Sequence, residues 1–206
     1  MENNLNINKI SAEVITDLAK TTAKTLYKKV VTYITDIQVK EEIDFGYAYE
    51  SYLKYAKSVH EKIKTLLYRH TAKNIYSFYE CVGLNKNGNI IDTTDVNNVL
   101  EISKKIIITG TGGIGKSVMM KHFFLNILQN TYYIPVLIEL RGLNEFDEKN
   151  VNLIDYIYNV MDTLKFKLER KYFDYSLETG CYVILLDGFD EVKNEISKQV
   201  TNQIFA

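Results

Sequence analysis

A chain of 206 residues, 46% hydrophobic and 25% charged, is long enough for one medium domain or two small ones and apolar enough for a packed core. Its formal net charge of −1 leaves no basic excess to release counterions from a polyanion, which argues against nucleic acid as the main partner. The polar start Met1-Glu2-Asn3-Asn4 is no secretory leader and no apolar run reaches spanning length, so a cytoplasmic address without a membrane partner is expected.

Residues 1–73 read as a helical module. Ile10, Val14, Ile15 and Leu18, then Leu26, Val30, Val31, Tyr33 and Ile34, recur at helical spacing, with Ser11 and Glu13 favouring an early start. A second helix is expected from about Phe45 to Thr71, with Tyr49, Tyr52, Leu53, Ala56, Val59, Ile63, Leu66 and Leu67 on its apolar face. Glu41 to Gly46 marks the break between the two, giving an α-hairpin. Nine of the 16 tyrosines precede residue 80; with no basic groove to track phosphates, packing rather than base stacking is their expected role.

Residues 74–103 form a lead-in. Ile75 to Leu84 and Ile90-Ile91 flank Asn85-Lys86-Asn87-Gly88, and Asn-Gly is a strong hairpin turn. Thr93-Thr94-Asp95 can cap a short helix through Leu100. Cys81 and Cys181 lie far apart in apolar settings and are expected as buried thiols, and His60, His70 and His122 show no metal-ligand spacing.

The richest stretch follows. Lys105 to Thr109 is a short β-branched run expected to be a buried strand, and Val118 to Leu125 has the composition of a helix start. Between them, Gly110-Thr111-Gly112-Gly113-Ile114-Gly115-Lys116-Ser117 fits G-x-x-x-x-G-K-[ST], the phosphate-binding loop. Its glycines let turned backbone point N–H groups at an anion, and the helix N-terminus adds partial positive charge. Lys116 can reach the terminal phosphates, and Ser117 is placed to ligate Mg²⁺.

Some 70 residues later, Tyr182-Val183-Ile184-Leu185-Leu186 runs into Asp187-Gly188-Phe189-Asp190-Glu191. Such a run suits a strand buried on both faces of a parallel sheet, with Asp187 emerging at its carboxyl end where open α/β sheets hold ligands. Asp187 can share Mg²⁺ with Ser117, and Glu191 or Asp190 can orient or deprotonate an attacking water.

The pairing of GTGGIGKS with LLDGFDE resembles the NACHT family of signal-transduction NTPases, relatives of the AAA+ class. Tyr133 to Arg141 looks like that family's second strand with its trailing Leu-Arg, and Asn152 to Ile157 like the start of its next helix. The resemblance covers roughly residues 76–206. It implies an α/β fold: a helical N-terminal module (1–73), the lead-in (74–103), and a partial P-loop NTPase parallel sheet flanked by helices (104–206). It also implies an ATP- and Mg²⁺-binding switch of bacterial immune or antiphage type, oligomeric when active. By analogy, Val82, Leu84 and Val99 would contact adenine.

ATP is favoured over GTP because no Asn-Lys-x-Asp loop follows the phosphate loop. Arg141 could sense the γ-phosphate or form a surface ion pair. The family's sensor strand should follow a helix beginning near Val192, yet the sequence stops at Ala206, so the chain is expected to be the front part of a longer protein or a truncated product, relying on self-association or a partner chain for the missing sheet and lid. Two functions stay open: an NTPase switch with turnover, and a scaffold that holds nucleotide without hydrolysis and acts through its N-terminal helices.

Overall fold

The computed structural model describes residues 39–64, 71–146 and 151–205, with side chains from Tyr49 onward. The first expected helix, at residues 10–34, lies outside the described residues, as do Leu66 and Leu67. Helix α1 spans Val39–His60 and runs straight through the break expected at Glu41 to Gly46. Two glutamates are good helix formers, and one interior glycine costs only about 1 kcal/mol, less than the packing of the turns beyond it supplies. It also ends earlier than its apolar period suggested. Ile63 leaves the helix for a two-residue strand, β1 (Lys62–Ile63), antiparallel to β2 (Lys73–Asn74).

A turn of 3-10 helix at Ile75–Ser77 follows, with Asn74 accepting from the Tyr76 N–H. The hairpin is confined to β3 (Leu84–Lys86) and β4 (Asn89–Ile91), since Ile75 to Val82 forms no strand. Its turn is the expected one: Asn87 and Gly88 take φ of 54° and 88°, and the Asn85 side chain accepts from the Gly88 N–H at 2.9 Å. Asp95 then accepts from the Asn97 N–H at the start of the short helix α2 (Asn97–Leu100).

Helix α3 (Lys116–Asn130) begins at the end of the glycine loop and buries Met119, Phe123, Phe124, Ile127 and Leu128. It packs on two parallel strands, β5 (Ile134–Glu139) and β6 (Tyr182–Asp187), paired from Ile134↔Tyr182 to Glu139↔Asp187. Helices α4 (Leu153–Thr163) and α5 (Arg170–Glu178) connect these strands, and α6 (Asn194–Phe205) follows β6. Asn152 caps α4 by accepting from the Ile154 and Asp155 N–H groups, as the sequence suggested.

Ile134 to Ile138 is buried at every position, so β5 is covered on both faces. Strand β6 departs from expectation: every residue is only half-buried. The reason is its second edge, which has no ladder partner among the described residues. The same lack explains Lys105 to Thr109, expected as a strand but paired with nothing, with Ile107 left 74% exposed. β-branched residues favour a strand only where a neighbour offers a ladder. The result is a mixed α/β unit with a small parallel sheet and two short antiparallel pairs.

Helix α1 adds the aromatic half of the core. Tyr49 and Tyr52 are buried against Phe166, and the Tyr52 hydroxyl donates to the Pro135 carbonyl at 2.9 Å. The Tyr49 hydroxyl is hydrogen-bonded to that of Tyr182, and burial raises the pKa of both phenols. These two tyrosines are therefore packing residues. Among the described residues no helix is long and apolar enough to cross a membrane.

Candidate phosphate-loop site

Residues 110–117 form a turned loop leading into α3. Gly113 and Gly115 take φ of 77° and 97°, left-handed values that side chains disfavour, and these two turns bring the chain onto the helix axis. No side chain caps α3 at Gly115, so the first N–H groups of the helix keep their positive pole open. Lys116 occupies the first helical position, where a cation opposes the macrodipole. Its ammonium folds back on the loop instead, donating to the carbonyl oxygens of Gly110 at 2.8 Å and Thr111 at 3.2 Å. Thr111 also accepts from the Ile114 N–H, while Ser117 and Ile114 are exposed. A lysine placed against its helix dipole and held only by carbonyls has a local conflict that a bound anion would relieve.

The acidic cluster lies past the carboxyl end of β6. Asp187 ends the strand, Gly188 turns the chain at φ 72°, and Phe189–Glu191 makes one turn of 3-10 helix. A Cβ at position 188 would stand 3.7 Å from the Glu191 carboxylate, an ordinary contact, so it is the left-handed turn that calls for glycine. Asp190 and Glu191 are exposed and Asp187 is half-buried. The turn is braced by Asn144, from the segment after β5: its side chain donates to the Glu191 carbonyl at 2.8 Å and accepts from the Lys193 N–H at 2.9 Å. Asn144 carries no motif signal; its role comes from the parallel pairing that sets the ends of β5 and β6 side by side.

Lys121 is a half-buried cation on the helix that follows the loop, donating to the Lys62 carbonyl at 3.2 Å. It stands four residues after Ser117, on the same face of α3. Burial lowers its pKa, and the negative charges of Glu139 and Asp187 partly restore it.

Other expected residues fall elsewhere. Arg141 pairs with Glu139 at 2.7 Å on the surface, the second of its two expected roles. Val99 is buried in the core, Leu84 half-buried and Val82 exposed. Cys81 is exposed and Cys181 half-buried, against the expectation of buried thiols, because the 76–83 segment forms no strand to enclose the first.

The fold brings Cys81 to 3.7 Å from His122, a proximity that sequence spacing does not show. His122 is not poised to activate it. Its Nε2 lies 2.8 Å from the Thr93 carbonyl, which can only accept, so that nitrogen carries the proton and Nδ1 accepts from the Tyr76 hydroxyl. Burial, Asp92 and Glu80 raise the Cys81 pKa, keeping it a thiol. Among the described residues, no group of three or more His, Cys, Asp or Glu gathers as a metal centre.

No protein-family model, curated protein or solved structure matches the chain.

Proposed function

We propose that the chain binds a nucleoside triphosphate, ATP rather than GTP, at Gly110 to Ser117, and acts as a nucleotide-dependent switch of the NACHT type. The observation that carries this reading is the state of Lys116: an ammonium inside a glycine loop, at an uncapped helix N-terminus, held only by two carbonyl oxygens. Polyphosphate would take over that ammonium and the free N–H groups together.

The donor set suits Mg²⁺, which keeps most of its waters and binds through one or two carboxylates plus phosphate oxygens. Ser117 and Asp187 would hold it, and the ion would neutralise phosphate charge. Loop N–H groups and Lys116 orient and stabilise the phosphoryl oxygens. Glu191 positions the attacking water and accepts its proton, with Asp190 the second candidate. Both are exposed on a turn whose backbone, rather than its carboxylates, is fixed by Asn144.

A second reading, nucleotide binding without turnover, draws on the segment before the loop. Lys105 to Thr109 sits in no ladder among the described residues, so no strand pairing holds the loop against β6 from that side. A further strand on the open edge of β6, supplied by self-association or another chain, would complete the sheet and permit hydrolysis.

Calorimetric titration of ATP and GTP with Mg²⁺, beside Lys116→Ala and an assay for phosphate release, separates these readings. Mg²⁺-dependent ATP binding lost in the variant supports the site, and phosphate release then decides between switch with turnover and scaffold. A folded wild-type chain that binds neither nucleotide would overturn the assignment.

A further inference from the structure

The acidic turn after β6 is tied down at both ends. On the β6 side, the Glu191 N–H donates to the Gly188 carbonyl at 3.1 Å. On the far side, the Asn144 amide spans Val192, donating to the Glu191 carbonyl at 2.8 Å and accepting from the Lys193 N–H at 2.9 Å. A carbonyl only accepts and an N–H only donates, so a side chain carrying both a donor and an acceptor is needed to hold the two together. Val192 itself is buried and extended, which seats the bridge on the core.

Asn144 is in turn held from α4. It lies in Leu140–Glu145, a stretch of 3-10 helix after β5 that buries Leu140 and Leu143. At the entry to that stretch, the Tyr156 hydroxyl donates to the Glu139 carbonyl at 2.9 Å. A Cβ at Gly142 would overlap the same hydroxyl, so any larger residue there would push Tyr156 aside. Just past its end, Phe146 packs edge-on against the Tyr156 ring, with centroids 5.7 Å apart. Tyr156 thus meets the stretch at its start, middle and end, and the stretch carries Asn144 to the turn.

We propose that Asn144 is a positioning residue for hydrolysis at the phosphate-loop site, and that Tyr156 extends its brace to α4, so that the seating of α4 sets turnover without contact to nucleotide. The inference rests on the reading of residues 110–117 as an ATP site with turnover. In that reaction a water oxygen attacks the terminal phosphorus, the bond from that phosphorus to the leaving diphosphate oxygen breaks, and the water's proton passes to Glu191 or Asp190. No ion pair fixes either carboxylate among the described residues, so the backbone of the turn sets where they stand. Binding draws on Lys116 and the loop N–H groups, and turnover on the acidic turn. Loss of the brace should therefore separate the two.

The test uses the full chain, with Mg²⁺–ATP binding by calorimetry, steady-state phosphate release and a melting curve for each variant. Asn144→Leu keeps the side chain's size and loses both bonds. It should lower kcat by roughly ten- to a hundred-fold, the scale of a misplaced reacting group, with KM and Kd within about two-fold of wild type. Asn144→Asp keeps the acceptor for Lys193 but sets a carboxylate against the Glu191 carbonyl. Protonation would restore a donor there, so its kcat relative to wild type should rise as pH falls from about 7 to about 5. Tyr156→Phe loses only the hydroxyl bond and should lower kcat less. Added to Asn144→Leu it should lower kcat no further, because both act through one brace. If Asn144→Leu does not fold, Asn144→Asp and Tyr156→Phe carry the test. Unchanged kcat in the folded variants, or equal losses of binding and turnover, overturns the inference. Fully additive losses in the double variant overturn the link to α4. Wild type that binds ATP and releases no phosphate overturns the inference and leaves the nucleotide site standing. Absence of ATP binding by the folded wild type instead removes the reading on which the inference depends.

Discussion

The Lys116 ammonium donates to the Gly110 carbonyl at 2.8 Å, closing the glycine loop on its own cation. That bond shows what the side chain can give up. Two carbonyls at a partly exposed site offer little stability, whereas phosphate offers a charged partner. Lys116→Ala should therefore leave the thermal midpoint nearly unchanged and weaken Mg²⁺–ATP binding by roughly 2–4 kcal/mol. Calorimetry and a melting curve on the same sample check both halves. A large fall in stability with unaltered affinity would mark Lys116 as a structural brace of the loop.

Glu191 offers a different kind of test, because its backbone and side chain have separate tasks. Asn144 holds its carbonyl, and the carboxylate is exposed. Glu191→Gln should keep the turn, keep nucleotide binding and lower any phosphate release by 10²-fold or more, the range for a removed general base. Asp190→Asn made in parallel decides which acid serves. Equal loss of binding and turnover in Glu191→Gln would assign the carboxylate to structure.

Features set by a few adjacent residues were legible in the sequence. The Asn87-Gly88 turn, the Asn152 cap and the left-handed glycines of the loop each follow from local backbone chemistry. Features that need a distant partner were not. Lys105 to Thr109 has the composition of a strand, but a ladder is a property of two segments. The half-burial of β6 has the same origin, since an apolar run says nothing about which edge is covered. Helix α1 crosses Glu41 to Gly46 because local breaker signals are weak against continued helix on both sides. Around the candidate site, the motif pattern was visible in the sequence, while Asn144 was not. Asn144 is an ordinary surface residue type whose role arises from neighbours that the fold supplies.

Asn126 is the buried clamp between α3 and the lead-in. Its side-chain oxygen accepts from the Val96 N–H at 3.0 Å, and its nitrogen donates to the Thr94 carbonyl at 2.8 Å. Asn126→Ala strands the buried Val96 N–H, while the Thr94 carbonyl belongs to an exposed residue that water can reach. It should cost about 1–3 kcal/mol, the penalty for the one buried group left unpaired, measured by urea denaturation. Loss of less than about 1 kcal/mol would mean that water or a shifted loop replaces the clamp.

His60 sets a pH dependence whose sign is fixed by its surroundings. The ring is buried on Phe124, its Nε2 has no hydrogen-bond partner among the described residues, and burial, aided by the charge of Lys121, lowers its pKa to about 4. Above its ordinary pKa of about 6.5, the folded and unfolded states both hold neutral imidazole, and the full stability is present. As pH falls from there toward 4, the unfolded chain takes up a proton that the folded chain refuses, so stability declines. The group's share reaches up to about 3 kcal/mol and levels off below the folded pKa. Urea midpoints from pH 7.5 to 4.5 should therefore drop on acidification, and His60→Phe, which keeps the ring on Phe124, should flatten that slope. An equal slope in a folded His60→Phe variant would place the titration on other groups and show that His60 gains a proton partner in solution.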